Sequence, residues 1–134
     1  MVAGSSKHYL ARHVDEDKIA EAILDAEARS TGVIVVELSP RARGGVRKAA
    51  ERSFERLRLH RSPHRNNILL FVVPSRREFA IVGDAGIHSK VGQEFWDRLA
   101  AVVGQDIRNA DLTTGLVRGI EEIGQQLAAH FPRA

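Results

Sequence analysis

The sequence predicts an α/β fold: a small mixed sheet sandwiched by helices, with the first two predicted strands parallel and the third antiparallel. Three observations carry this. Residues 33–38 (Val-Ile-Val-Val-Glu-Leu) and 68–73 (Ile-Leu-Leu-Phe-Val-Val) are almost continuously apolar, the pattern of strands covered on both faces. Between them, apolar residues recur at helical spacing, so a crossover helix joins two parallel strands. After the second strand only Ser75-Arg76-Arg77-Glu78 separate Pro74 from Phe79-Ala80-Ile81-Val82, too few residues for a crossover, so the third strand returns as a hairpin.

The elements follow in order. Asp15 is a good N-cap, Glu16 and Asp17 place negative charge in the first helical turn, and Val14 and Ile19 stand at the spacing of a hydrophobic staple. Ile19, Ile23 and Ala26 form an apolar stripe, widened by Ala20 and Leu24, and Gly32 stops the helix before the first predicted strand. Ser39-Pro40 and Gly44-Gly45 mark a loop, after which Val46, Ala49, Ala50, Phe54 and Leu57 define a second helix ending before Ser62-Pro63. Asn67 opens the second strand and Pro74 stops it. From Ser89 the period becomes helical again, with Val91, Phe95, Leu99 and Val102 in one row and Trp96, Ala100, Val103 and Ile107 in the next. The last helix carries Leu112, Leu116, Ile120, Ile123, Leu127 and Phe131 before Pro132. Its Gly115, Gly119 and Gly124 cost up to ~1 kcal/mol each against Ala, which implies close packing on the sheet or a neighbouring helix. Residues 1–14 read as a poorly ordered tail and 15–132 as a single domain.

Composition narrows the function. A chain of 134 residues with ordinary apolar and charged content builds one core without staples. The absence of Cys excludes Cys-ligated zinc, Cys nucleophiles and disulfides. The first twelve residues have no apolar signal region, and the longest apolar run, residues 68–73, falls far short of the ~20 residues that span a bilayer. A soluble, cytoplasmic protein is the expectation. Residues 41–65 hold nine Lys/Arg against Glu51 and Glu55, a local net charge of +7 in a chain whose total is +3. That segment suits an acidic partner surface. No aromatic side chain interleaves with the charges as a base-stacking platform, so specific nucleic-acid binding is not expected.

The predicted topology brings the end of the third strand beside the starts of the other two, so Gly83-Asp84-Ala85-Gly86 lies near Thr31-Gly32 and Arg65-Asn66-Asn67. Glu27, in the last turn of the first helix, points to the same edge. Short oxygen side chains and carbonyls on glycine-rich loops suit calcium or another hard divalent cation, making Asp84, Gly86 and Glu27 the candidate ligands. Arg65, Asn66, Asn67 and His88 are the candidate contacts for an anion or other ligand. The plainer alternative is an Asx-type turn in which Asp84 caps the following helix. The Gly83–Gly86 string lacks the spacing of a dinucleotide fingerprint or P-loop, His60 and His64 are separated by Pro63, and no serine sits in a nucleophile elbow. No catalytic residue stands out.

Several strings resemble the TPM domain family, named for thylakoid-lumen photosystem II repair proteins and their bacterial relatives. They are Ala26-Glu27 with Ser30-Thr31-Gly32, then Arg65-Asn66-Asn67-Ile68-Leu69-Leu70, then Phe79-Ala80-Ile81-Val82-Gly83-Asp84 with Gly86-Ile87 and Phe95-Trp96. Gly115-Leu116, Gly119-Ile120 and Ile123-Gly124, ending at Phe131-Pro132, complete the set. The chain is similar to the short soluble bacterial branch. The resemblance implies an α/β/α sandwich often called Rossmann-like, a divalent-cation site, usually calcium, and either an accessory role in membrane-complex assembly or an acid phosphatase activity. Where the family usually has Glu after the first-strand glycine this sequence has Val33, and where it has Gly after the second-strand Asn this sequence has Asn67, so the edge lacks one expected carboxylate. Two functions follow as expectations. One is a non-catalytic binding or accessory module for an acidic protein or membrane-complex partner, with a weak cation site. The alternative is a metal-assisted phosphomonoesterase using Asp84 beside the cation, with Arg65 or His88 clamping phosphate.

Overall fold

The fold is given by a computed structural model that describes residues 1–4 and 14–134. Four strands, β1 (Val2–Gly4), β2 (Ile34–Leu38), β3 (Ile68–Val73) and β4 (Glu78–Gly83), lie side by side in sequence order. β1, β2 and β3 run parallel and β4 antiparallel, so the predicted mixed sheet is present with one strand more. Among the described residues the order has no reversal of the kind that opens the nucleotide crevice of a doubly wound sheet. The helices among the described residues are α1 (Glu16–Glu27), α2 (Val46–Arg56), α3 (Ala85–Asn109) and α4 (Leu112–His130). None of them is long and apolar enough to cross a membrane.

Alternation along the strands divides the core in two. Ile34, Val36, Leu38, Ile68, Leu70 and Val72 face α1, α3 and α4, where they meet Ile19, Ile23, Leu99, Val103, Leu116 and Ile120. Val35, Leu69, Phe71 and Val73 face the opposite way, onto Ala49, Ala50 and Phe54 of α2. The glycines of α4 are there for close approach. A Cβ on Gly124 would lie 2.6 Å from the Cβ of Ala26 on α1, and one on Gly115 would lie 2.6 Å from Ile107 on α3. The helix starts also follow from sequence: Asp15 accepts a hydrogen bond from Lys18 N at 3.2 Å, and Asp111 accepts one from Thr114 N at 2.7 Å.

Two elements differ from the expectation. β1 falls inside the segment read as a tail. Val2-Ala3-Gly4 is too short to show a period, and it is ordered by β2, whose Val36 N donates to Met1 O at 2.8 Å; residues 5–13 of that tail lie outside the described residues. α3 begins at Ala85 rather than Ser89, because Asp84 caps it, and it is interrupted at Gly92, whose φ of +76° breaks the helical run and hides the first turns from a periodicity test. On β4, an edge strand, Arg47 of α2 donates to the Ile81 carbonyl at 2.6 Å and so occupies a group another strand could pair with.

Candidate functional site

The edge singled out in the sequence is built by the register of the hairpin. Asp84 N donates to Asn67 O at 3.0 Å, which continues the β3–β4 ladder by one pair and sets Asp84 beside the Arg65-Asn66-Asn67 loop. Arg65 adopts a left-handed conformation, φ +51°, and so turns both its carbonyl and its side chain toward α3. Its carbonyl accepts from Gly86 N at 2.8 Å and Ile87 N at 3.2 Å, satisfying two free donors of the helix start. Its guanidinium grips Asp84 in a fork, Nε to Oδ2 at 2.7 Å and Nη2 to Oδ1 at 2.8 Å. Asp84 Oδ1 also accepts from Ala85 N at 2.8 Å. The side chain of Asp84 is 4% exposed and that of Arg65 50%, so the pair has one foot in the core and one in water. The hydrogen bonds from Arg65 to Asp84, with the carboxylate's charge behind them, raise the proton affinity of the guanidinium above its ordinary value.

The other candidates are engaged too. Glu27 accepts from Ile34 N at 2.6 Å through Oε2, tying the end of α1 to the start of β2. Asn66, buried, donates to Thr31 Oγ1 at 3.0 Å, and Asn67 bridges the Leu59 carbonyl and the Val33 amide. His88 Nδ1 accepts from the indole of Trp96 at 3.0 Å. The Gly86 carbonyl accepts from the hydroxyl of Ser89 at 2.9 Å. Glu27 and Asp84 share one end of the sheet but not one site. Glu27 binds at Ile34, and Ile34 is two strands from Gly83 through Ile68, about 9–10 Å at ordinary strand spacing.

The donor set does not fit a calcium ion while Arg65 is in place. Calcium takes six to eight oxygens, whereas the Asp84 carboxylate already faces a cation and a helix N–H. Among the described residues no group of three or more His, Asp and Glu side chains converges for a metal. Val33, where a family carboxylate was expected, is 41% exposed; its amide donates to Asn67 Oδ1 and its carbonyl accepts from Ile68 N, and its side chain brings no oxygen to the edge.

A pocket on another part of the surface was not singled out in the sequence. On the α2 face an open pocket of about 450 Å³ is lined by Glu37, Ser39, Arg41, Arg43, Arg52 and Arg56, with Phe71 at its floor. Its one sequence signal is a charged residue, Glu37, inside an otherwise apolar strand.

The model of the TPM domain matches residues 7–126. The chain belongs to the TPM domain family. The solution structure of the BA42 protein from the psychrophilic bacterium Bizionia argentinensis is similar at 31% identity and a TM-score of 0.80, covering 89% of this chain and 84% of that one. The N-terminal domain of cg2496 from Corynebacterium glutamicum (15% identity, TM-score 0.67, 99% and 83% coverage) shares the fold. So does the N-terminal domain of a P. gingivalis protein (15%, 0.74, 99% and 87%). A search of curated proteins finds no match. In this TPM domain the Gly-Asp-x-Gly-Ile string and the later Phe-Trp pair are parts of one packing arrangement. A Cβ on Gly83 would overlap the ring of Trp96, and a Cβ on Gly86 would overlap the His64 carbonyl.

Proposed function

We propose that this TPM domain is a non-catalytic binding or accessory module that presents its basic α2 face to an acidic protein, alone or within a membrane complex. The observation that carries the reading is the commitment of Asp84. Both of its oxygens are held by Arg65 and one also by the α3 amide, so the carboxylate acts as a strap between strand edge and helix. A general acid or base must be free to exchange its proton with a reacting group, and here the Arg65 fork and the α3 amide engage both Asp84 oxygens. The excess of Arg and Lys over residues 41–65 supports the choice of an acidic partner. A calcium ion at the Asp84 edge would have to displace Arg65 and would find only one or two carboxylates, so its dissociation constant is expected to be no tighter than about 10⁻⁵–10⁻³ M.

The test is p-nitrophenyl phosphate hydrolysis at pH 5–8 with calcium, with magnesium and with chelator. The expected result is no turnover above an Asp84→Asn control in any condition. Cation-dependent turnover that Asp84→Asn abolishes would replace this reading with the metal-assisted phosphatase.

A further inference from the structure

β4 is an edge of the sheet, and its register shows which of its backbone groups face outward. Asp84 N donates to Asn67 O, so Asn67 and Asp84 are a hydrogen-bonded pair of the antiparallel ladder, and open and hydrogen-bonded pairs alternate from there. Phe79, Ile81 and Gly83 fall in the open pairs, opposite Val72, Leu70 and Ile68. Two of those partners spend groups on the other side of β3: Val72 O accepts from Ser39 N at 2.8 Å, and Ile68 N donates to Val33 O at 2.9 Å. The N–H and C=O groups of Phe79, Ile81 and Gly83 therefore point away from β3, where no further strand lies among the described residues.

Such an edge is a template for another strand unless something blunts it. β1, at the opposite edge, is blunted by its length of three residues. β4 runs beside β3 in unbroken register from Glu78 to Gly83, and neither proline nor charge interrupts residues 79–83. The guard on it among the described residues is Arg47 of α2, whose Nη1 donates to Ile81 O at 2.6 Å while Nε donates to Glu51 Oε2 at 3.3 Å. The Arg47 side chain is 61% exposed, so it leaves the edge by rotating into water and not by unpacking the core.

We propose that β4 is a self-pairing edge: two copies of this chain join β4 to β4 antiparallel about a two-fold axis at Ile81, and Arg47 is the latch that holds the edge closed. The outward groups select a second copy because they are spaced evenly about Ile81. Pairing centred there sets Ile81 against Ile81, and Phe79 against Gly83 of the second copy, so every outward N–H meets an outward C=O once both latches open. The side chains agree. Residues 79–83 carry no charge, and Ala80 comes opposite Val82. Glu78 comes opposite Asp84, whose charge is already matched by Arg65. On the nearest flank of α2, Arg47 is balanced by Glu51. The pairing goes beyond the acidic-partner reading and is independent of it.

The experiment is sedimentation velocity of the full chain from micromolar to millimolar concentration, with amide hydrogen exchange of Phe79, Ile81 and Gly83 followed by NMR on the same samples. Wild type, Arg47→Ala and Lys48→Ala are compared, the last removing an equal charge one residue along α2. Each latch is one hydrogen bond from a charged donor, worth about tenfold, and the dimer opens two, so Arg47→Ala should dimerise about a hundredfold tighter than wild type. Exchange of the three amides should slow as dimer forms, and Lys48→Ala should match wild type. Adding Phe79→Pro to Arg47→Ala should restore the monomer, because proline removes an outward N–H and no bond to β3. Arg47→Ala no more associated than wild type would overturn the proposal. Equal association in Lys48→Ala would also overturn it, by making net charge the cause. A dimer whose three amides exchange as fast as in the monomer would place the contact elsewhere and overturn it whatever the proline variant does.

Discussion

Gly86→Ala separates a packing role for the Gly-Asp-x-Gly string from a ligand role. Gly86 is the second residue of α3, at a backbone conformation alanine adopts freely. A Cβ there would overlap the His64 carbonyl and lie 2.6 Å from the Arg65 carbonyl oxygen. Both obstacles are backbone, so no side chain can swing aside. Reaching ordinary contact of about 3.4 Å requires the loop or the helix start to move by about 0.8 Å or more. Such a shift strains or breaks the bonds from Gly86 N and Ile87 N to Arg65 O, worth about 1 kcal/mol each. Overpacking adds about 1–3 kcal/mol, and the helical preference of alanine returns at most ~1 kcal/mol. The net destabilisation is about 2–4 kcal/mol, a fall in melting temperature of roughly 8–16 °C for a domain of this size. Gly104→Ala is the control. Its nearest neighbours would be Arg108 Nη1 at 3.5 Å and Phe79 Cε1 at 3.9 Å, so alanine should stabilise α3 by about 0.5–1 kcal/mol. Calorimetry in chelator reads both. A Gly86→Ala protein as stable as wild type would refute the close-approach argument, and a loss seen only with calcium present would favour a ligand role.

Three further outcomes are expected. In thermal-shift titrations millimolar calcium should move wild type and Asp84→Asn by the same small amount, because the carboxylate is in the fork of Arg65; a shift lost in Asp84→Asn would show that the ion displaces the arginine. The backbone amide of Thr114, followed by its hydroxyl, holds the Asp111 carboxyl below its ordinary proton affinity. Its stabilising share is thus present above about pH 4 and lost as pH falls through the depressed folded value; urea midpoints of wild type and Asp111→Asn should differ at pH 7 and converge in acid, and a constant gap would contradict the assignment. Leu116→Ala, at a fully buried α4 position, should cost about 2–5 kcal/mol through the cavity it leaves; a loss below 1 kcal/mol by denaturant titration would mean the helix layer repacks.

The parts of the fold written as period were legible in the sequence. The doubly apolar strands announced helices on both faces, and the four-residue turn before Phe79 fixed the direction of β4. β1 was not legible, since three residues carry no period and its order comes from the free edge of β2. The start of α3 was obscured by Gly86 and Gly92, which look like loop residues until the His64 and Arg65 carbonyls are seen against them. At the candidate site, topology correctly brought Asp84, Arg65 and Asn67 to one edge. Their roles were not legible, because the left-handed turn at Arg65 that aims its guanidinium at Asp84 has no sequence signature. Glu37 had a signal, a carboxylate in an apolar strand, but its meaning depends on the arginines that the 39–45 loop folds over it.

The most direct test of the division between a structural edge and a binding face is a pair of ¹⁵N-resolved NMR titrations of the full chain, one with hexa-glutamate and one with calcium. The expected result is that the peptide shifts amides around Glu37, in the 39–45 loop and along the exposed face of α2, while residues 65–67 and 83–88 stay unchanged in both titrations. Peptide or calcium shifts centred on Arg65, Asp84 and Gly86, with the α2 face silent, would contradict it.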